Sequence, residues 1–365
     1  YAVVSEKNRD VGSNNNQGKV YIYKRTGSDW TELQQLTASD GLANDGFGTA
    51  VAISGDTLVV TAQGVDIGGL SGVGAVYVYT RDGDTWTQQG PRITADTPIS
   101  NRSWGVSVDI SGDTIVVGAQ GISSGAGGDI GKQGSAYVFT RSGNTWTQQQ
   151  ILESPTPANR EYFGHDVGIS GDTIVVGAYY RDKGAIVQAG SGFVFSRSGS
   201  TWTQLQELTA DDSGQYFHFG NQVSIAGNYI AVSAPRWGPG IAGQFNRGAV
   251  YVYYKSGTTF TQQQKITADD PDNNDTFGES LDISGDLIVA GSRKNDLGAG
   301  DYSGTAYVLR RSGSTWAITN KFVPTDSQSY DDFGSHVAVD DNSFVITASG
   351  SPNGNFIGAV YAFAF

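Results

Sequence analysis

Phe47 to Asp56 read FGTAVAISGD, and repeats of this phrase organise the rest of the chain. Its apolar residues alternate, with Phe47, Val51 and Ile53 on one face of an extended strand and Gly48, Ala50 and Ala52 on the other. The SGD that closes it predicts a tight turn in which Gly55 takes positive φ. The same Phe-Gly or Trp-Gly start recurs at Trp104, Phe163, Phe219, Phe277 and Phe333, at spacings of 57, 59, 56, 58 and 56 residues. A fixed period of this length marks a repeat architecture.

Four β-patterned runs follow in each repeat. After the alternating first run comes a continuous apolar one, TIVVGA at Thr114 to Ala119, which predicts a strand buried on both faces. GAVYVY (Gly74 to Tyr79) and TWTQQ (Thr145 to Gln149) supply the third and fourth, rich in β-branched and aromatic residues. Short glycine turns, SGDT and RSGN or RDGD, join the first run to the second and the third to the fourth. The other two connections of each repeat are long and differ from unit to unit. No repeat carries a helical period, so the pattern predicts four-stranded antiparallel blades.

The expected fold is therefore all-β: a seven-bladed β-propeller forming one domain over residues 1–365, with blades near 1–40, 41–97, 98–156, 157–212, 213–270, 271–326 and 327–365. Counting strands leaves the first blade without its inner strand and the last without its outer one. Either the chain is cut from a longer one, or a flanking segment or neighbouring chain completes these blades by β-addition.

Composition narrows the partners. The chain has 365 residues and a formal net charge of -13, so it offers no basic surface for nucleic acid or for anionic lipid. No run of 18 apolar residues is present, which argues against membrane insertion. Absence of both Cys and Met suits an extracellular or cell-surface setting.

The six Phe-Gly or Trp-Gly starts, together with VVGA, VVTA, AVSAP and IVAGS in the second strands, resemble the FG-GAP repeat family of integrin α-subunits and bacterial surface proteins. That resemblance covers nearly the whole chain and implies a propeller that binds ligands on the face made by its long loops. It also implies calcium loops of the D-x-D-x-D-G kind between the first and second strands. Here only SGDT, SGDL or AGNY stand there, too short to wrap the ion, so those sites are not carried over.

Variable loops on a rigid scaffold are the place to look for binding residues. The richest set belongs to the fourth and fifth blades: Tyr179, Tyr180, Arg181, Tyr216, His218, Arg236, Trp237, Phe245 and Arg247. Aromatic and Arg side chains supply area and directed hydrogen bonds, and they stack on sugar rings. Trp237, in PRWGPG, either points outward as a contact residue or folds inward as a plug. The tryptophans at 30, 86, 146, 202 and 316 recur at one position of the fourth strand and are packing residues.

No cofactor is called for by any motif except calcium, for which DDPDNND (Asp269 to Asp275) is a candidate. Asp270, Asp272 and Asn274 have the 1, 3, 5 spacing of a calcium loop, but Asp275 stands where a turn glycine belongs and Leu281 where a bidentate Glu belongs. The leading expectation is a non-enzymatic recognition or adhesion module that binds a protein or glycan. A structural subunit of a surface filament or coat, joined by strand donation, is the alternative. A polysaccharide-processing enzyme is the third reading, with His165, Glu279 and Arg181 as the residues to test.

Overall fold

A computed structural model describes residues 1–121, 133–158, 160–239, 246–270, 272–295, 302–325, 328–341, 343–350 and 358–364. Among these residues there are 26 strands and no helix. They form seven antiparallel sheets, the blades of a seven-bladed β-propeller. Five sheets have four strands, whereas the first lacks the inner strand and the last the outer. Two compact units are distinguished, one of Tyr1–Val176 with Phe195–Gln204 and one of Gly177–Val194 with Leu205–Phe365.

The third blade shows how sequence becomes sheet. Its strands are Trp104–Ser111, Thr114–Ala119, Ser135–Ser142 and Thr145–Leu152, in that spatial order. The apolar run Thr114–Ala119 is buried along its whole length, as a strand covered on both faces must be. Each Phe-Gly or Trp-Gly aromatic is buried and meets a third-strand aromatic edge to face: Phe47 with Tyr77 at 5.4 Å, Phe277 with Tyr307 at 5.1 Å, Phe163 with Phe195 at 6.1 Å. Edge-to-face contact is the favoured geometry for such pairs.

The glycine of the signature is fixed by backbone. Gly164 has φ 83°, and a Cβ there would strike the Ser135 carbonyl of its own unit. Gly134 just ahead of the third strand has φ 84° and forms a parallel bridge to Phe163.

Two further repeat features are visible only in space. The inner strands slip register after their opening aromatic, between Phe47 and Val51 and between Trp104 and Val108. A hydroxyl fills the irregularity. Thr61 Oγ1 accepts from the Ala50 amide at 2.9 Å and donates to the Gly105 carbonyl of the next blade at 2.7 Å. Where the second strand has glycine instead, at Gly118 and Gly291, the hydroxyl comes from Ser107 or Ser280 and reaches Gly164 or Gly334. Thr61 on one side, and Ser107 with Gly118 or Ser280 with Gly291 on the other, are two placements of one hydrogen bond.

The fourth strands are stapled by glutamine. Gln264 Nε2 donates to the Trp316 carbonyl at 2.7 Å, and the Trp316 amide donates back to Gln264 Oε1 at 2.8 Å. Gln34 does the same to Trp86, Gln150 to Trp202 and Gln206 to Phe260. Trp86, Trp202, Trp316 and Phe260 are buried, as packing residues should be, while Trp30 and Trp146 are half-buried.

Candidate functional site

Alternating strand direction puts both long connections of a blade at one end of its sheet. Their backbone corrects the sequence reading, which took the loop between second and third strands as different in every unit. Residues 9–18, 65–74 and 181–190 share one form. Asp10, Asp66 and Asp182 each accept, through Oδ1, the backbone amide six residues on, at 2.7–2.8 Å. A small antiparallel bridge, Val11 to Asn14, Ile67 to Leu70 or Lys183 to Ile186, closes the tip. The signal was present as an Asp-x-Gly with a second glycine eight residues after the Asp; unlike side chains between them hid it.

In five blades the connection between second and third strands then meets the connection entering the next blade through a pair of left-handed residues. The pairs are Asn16 with Asn44, Gly72 with Asn101, Gln188 with Tyr216, Asn246 with Asn274 and Tyr302 with Tyr330, all with φ between 50° and 71°. Main-chain bonds hold them: Asn44 to the Asn15 carbonyl, Tyr216 to Val187, Thr276 to Asn246 and Asp332 to Tyr302, at 2.8–3.0 Å. Side chains cross the seam as well, the Asn16 and Asn246 amides donating to Asn44 and Asn274. A bulky residue rarely adopts this backbone, and where it does the surroundings impose it. Tyr216, Tyr302 and Tyr330 are nevertheless there, 49%, 40% and 49% exposed, the last two with ring centroids 5.8 Å apart.

The sequence-derived residues divide between surface and interior. Tyr216 and Arg236 are exposed. Tyr179, Tyr180 and His218 do come together, with centroids 4.7–5.3 Å apart, but His218 is buried and its Nε2 lies 3.1 Å from Gln188 Oε1. Arg181 lies over the Phe193 ring and pairs with Glu207 at 3.0 Å, so it braces the blade. Arg247 is half-buried, its Nε without a hydrogen-bond partner among the described residues. Phe245 lies outside the described residues.

Trp237 folds inward. It is 9% exposed, donates from Nε1 to Asp212 Oδ2 at 2.9 Å and lies 4.4 Å beneath the Lys265 ammonium. Tyr251 and Lys265 also donate to Asp212, at 2.7 and 2.8 Å. Burial pushes the Asp212 carboxyl up, but these three donors outweigh it and hold the group below its ordinary value. Trp237 thus joins a packing motif that sequence reasoning missed. The same Asp, Tyr and cation recur as Asp40, Tyr77 and Arg92 and as Asp270, Tyr307 and Lys321.

That recurrence accounts for one member of the calcium candidate, since Asp270 pairs with Lys321 at 2.5 Å. Asp275 is buried and accepts the Asp272 amide at 2.7 Å, the turn that Asp45 makes with Leu42 and Asp331 with Gln328. Asn274 is the seam residue already described. Among the described residues no group of three or more His, Asp or Glu is placed to hold a metal ion.

The residues singled out for catalysis are engaged in structure. Burial lowers the His165 imidazole to about 4, and its Nδ1 sits 2.6 Å from Gln120 Oε1. Glu279 pairs with Arg293 at 2.7 Å and accepts the Thr276 hydroxyl at 2.7 Å.

Blades of one recurring form, presenting constrained loops from a shared end, define a repeat propeller. The FG-GAP repeat model matches residues 30–79, 86–139, 146–195, 202–253, 260–309 and 316–363, and the chain belongs to that family. No curated protein matches it.

Proposed function

We propose that this chain is an extracellular recognition module that binds a protein or glycan through the loop end of its blades, without catalysing a reaction. The observation that carries this reading is the exposure of Tyr216, Tyr302 and Tyr330 on left-handed, hydrogen-bonded backbone. Solvent-facing aromatic rings on a preorganised backbone lose little freedom on binding, which favours affinity. The acidic net charge and the absence of Cys and Met fit a secreted setting. The test is a glycan and protein binding screen with the native chain, then with Tyr302→Ala and Tyr330→Ala. Each substitution is expected to weaken the selected ligand by at least tenfold with the fold retained; unchanged binding by these variants and by Tyr216→Ala would sink the reading.

A second reading, assembly by strand addition, rests on the three-stranded end sheets. The strand Ala359–Ala364 borders the last of these, and Val360 on it is 41% exposed. A donated strand from a neighbouring copy or flanking segment would satisfy this edge. Concentration-dependent oligomers in sedimentation, lost on Val360→Lys, are the expected result.

A further inference from the structure

The first unit holds a pocket of about 350 Å³ at the loop end of its blades, within the range of small-ligand sites. It lies apart from every residue that sequence reasoning selected. Its walls come from the connections flanking the first three blades and from Thr49 on the strand Phe47–Ser54, and their composition is unusual for a binding site: among the described residues no aromatic or aliphatic side chain lines it. Asn8, Asn44, Gln63 and Asn101 contribute amides, and Thr49 and Ser103 hydroxyls. Among the described lining residues Lys7 alone is charged and none is a carboxylate, in a chain whose net charge is -13.

The walls are preformed. Asn44, Gly46, Asn101 and Ser103 all hold left-handed backbone, at φ 67°, 66°, 53° and 53°. The Asn44 amide is fixed on Asn15 and that of Asn101 on Ser71. Gly64 and Gly72 let adjoining walls approach closely, since a Cβ on the former would strike the Asn44 carbonyl and one on the latter Asn101 Oδ1.

Carboxamides both donate and accept, which matches vicinal hydroxyls, and an ammonium with no acid beside it calls for an anion. We infer that this pocket binds a carboxylate-bearing saccharide of one or two rings, with Lys7 on the carboxylate and the Asn and Gln amides on the ring hydroxyls. This rests on the recognition reading and names a ligand class for a different part of the loop end. With no aromatic or aliphatic side chain among the described lining residues, the wall offers an acidic peptide no hydrophobic anchor.

The test titrates the ¹⁵N-labelled native chain with digalacturonate, its neutral methyl ester and the peptide Gly-Asp-Gly, following the amides of Gly46, Gly64 and Gly72. Digalacturonate is expected to give saturable shifts at these amides, with the ester about tenfold weaker, as the loss of a charged hydrogen bond predicts. Lys7→Gln should bring digalacturonate to the level of the ester, and Asn101→Ala should weaken both. Lys7 is exposed, so an otherwise unchanged spectrum checks that the fold is kept. Absence of saturable shifts, digalacturonate binding unaltered by Lys7→Gln, or equal binding of the peptide each overturns the assignment. Should Lys7→Gln leave a screened ligand bound while Tyr302→Ala releases it, this pocket fails and the broader reading stands.

Discussion

Trp237 illustrates how little a lone side chain declares about its direction. Between two prolines and two glycines it looks like an exposed anchor, yet its indole nitrogen is committed to Asp212 and its face to Lys265. Trp237→Ala should cost about 3–5 kcal/mol in denaturant unfolding, as for other buried aromatics. Trp237→Phe, which removes the donor and part of the ring but keeps an aromatic face for Lys265, should cost less, about 1–2 kcal/mol. The Asp212 carboxyl is held below its ordinary value, so the stability it contributes is present above the unfolded-state value and disappears as pH falls through the folded one. Native protein should therefore lose stability faster than Asp212→Asn on acidification below the carboxylate range, measured as denaturation midpoints against pH. The periodic Phe-Gly aromatics were legible because identical neighbours surround each copy. The Asp212, Tyr251 and Lys265 cluster was not, because its members stand 39 and 53 residues from the aspartate and only strand register brings them together.

Within a strand, the hydroxyl shared between first and second strands offers a sharp test. Thr61→Gly removes the acceptor of the Ala50 amide and the donor to Gly105, and should destabilise by about 1–3 kcal/mol. Adding Ala50→Ser copies the arrangement of Ser107 with Gly118, so the double variant is expected to recover part of that loss. Additive losses in a double-mutant cycle would contradict the equivalence. Asp282 is a second element-level device. It accepts from the Val339 amide of the following inner strand at 2.8 Å and from the Ser224 hydroxyl of the preceding one at 2.8 Å. Burial pushes its carboxyl up against these bonds, so Asp282→Ala, which strands two half-buried donors, should cost about 1–3 kcal/mol. Strand order, turn positions and the incomplete end blades were readable from alternation and glycine spacing. The register slip was not, since an alternating pattern does not show where one residue is left unpaired.

Across the molecule, protection should follow strand burial. Amides of Thr114–Ala119, buried throughout, are expected to exchange far more slowly than those of Ala359–Ala364, whose burial alternates between partial and none. Hydrogen exchange with peptide-level readout checks this. Because Asp270 and Asp275 already have protein partners, EDTA should leave the melting temperature within a degree or so of its value in calcium. Matched segments run from a fourth-strand aromatic such as Trp86 to a third-strand residue such as Phe139, so each sequence repeat straddles two blades, and the Gln staples lie at those joins.

The left-handed seam pairs have a consequence for engineering. Their backbone is set by main-chain bonds such as Tyr216 to Val187 and Asp332 to Tyr302, and the side chains seen there already range from Asn and Gln to Tyr. The exposed Tyr216, Tyr302 and Tyr330 are therefore exchangeable in a way that Gly72, with no room for a Cβ, and the Asn pairs, bonded across the seam, are not. A combinatorial library restricted to Asn, Asp, Gly, His and Tyr at these three tyrosines would vary the surface chemistry while leaving the scaffold that displays it unaltered.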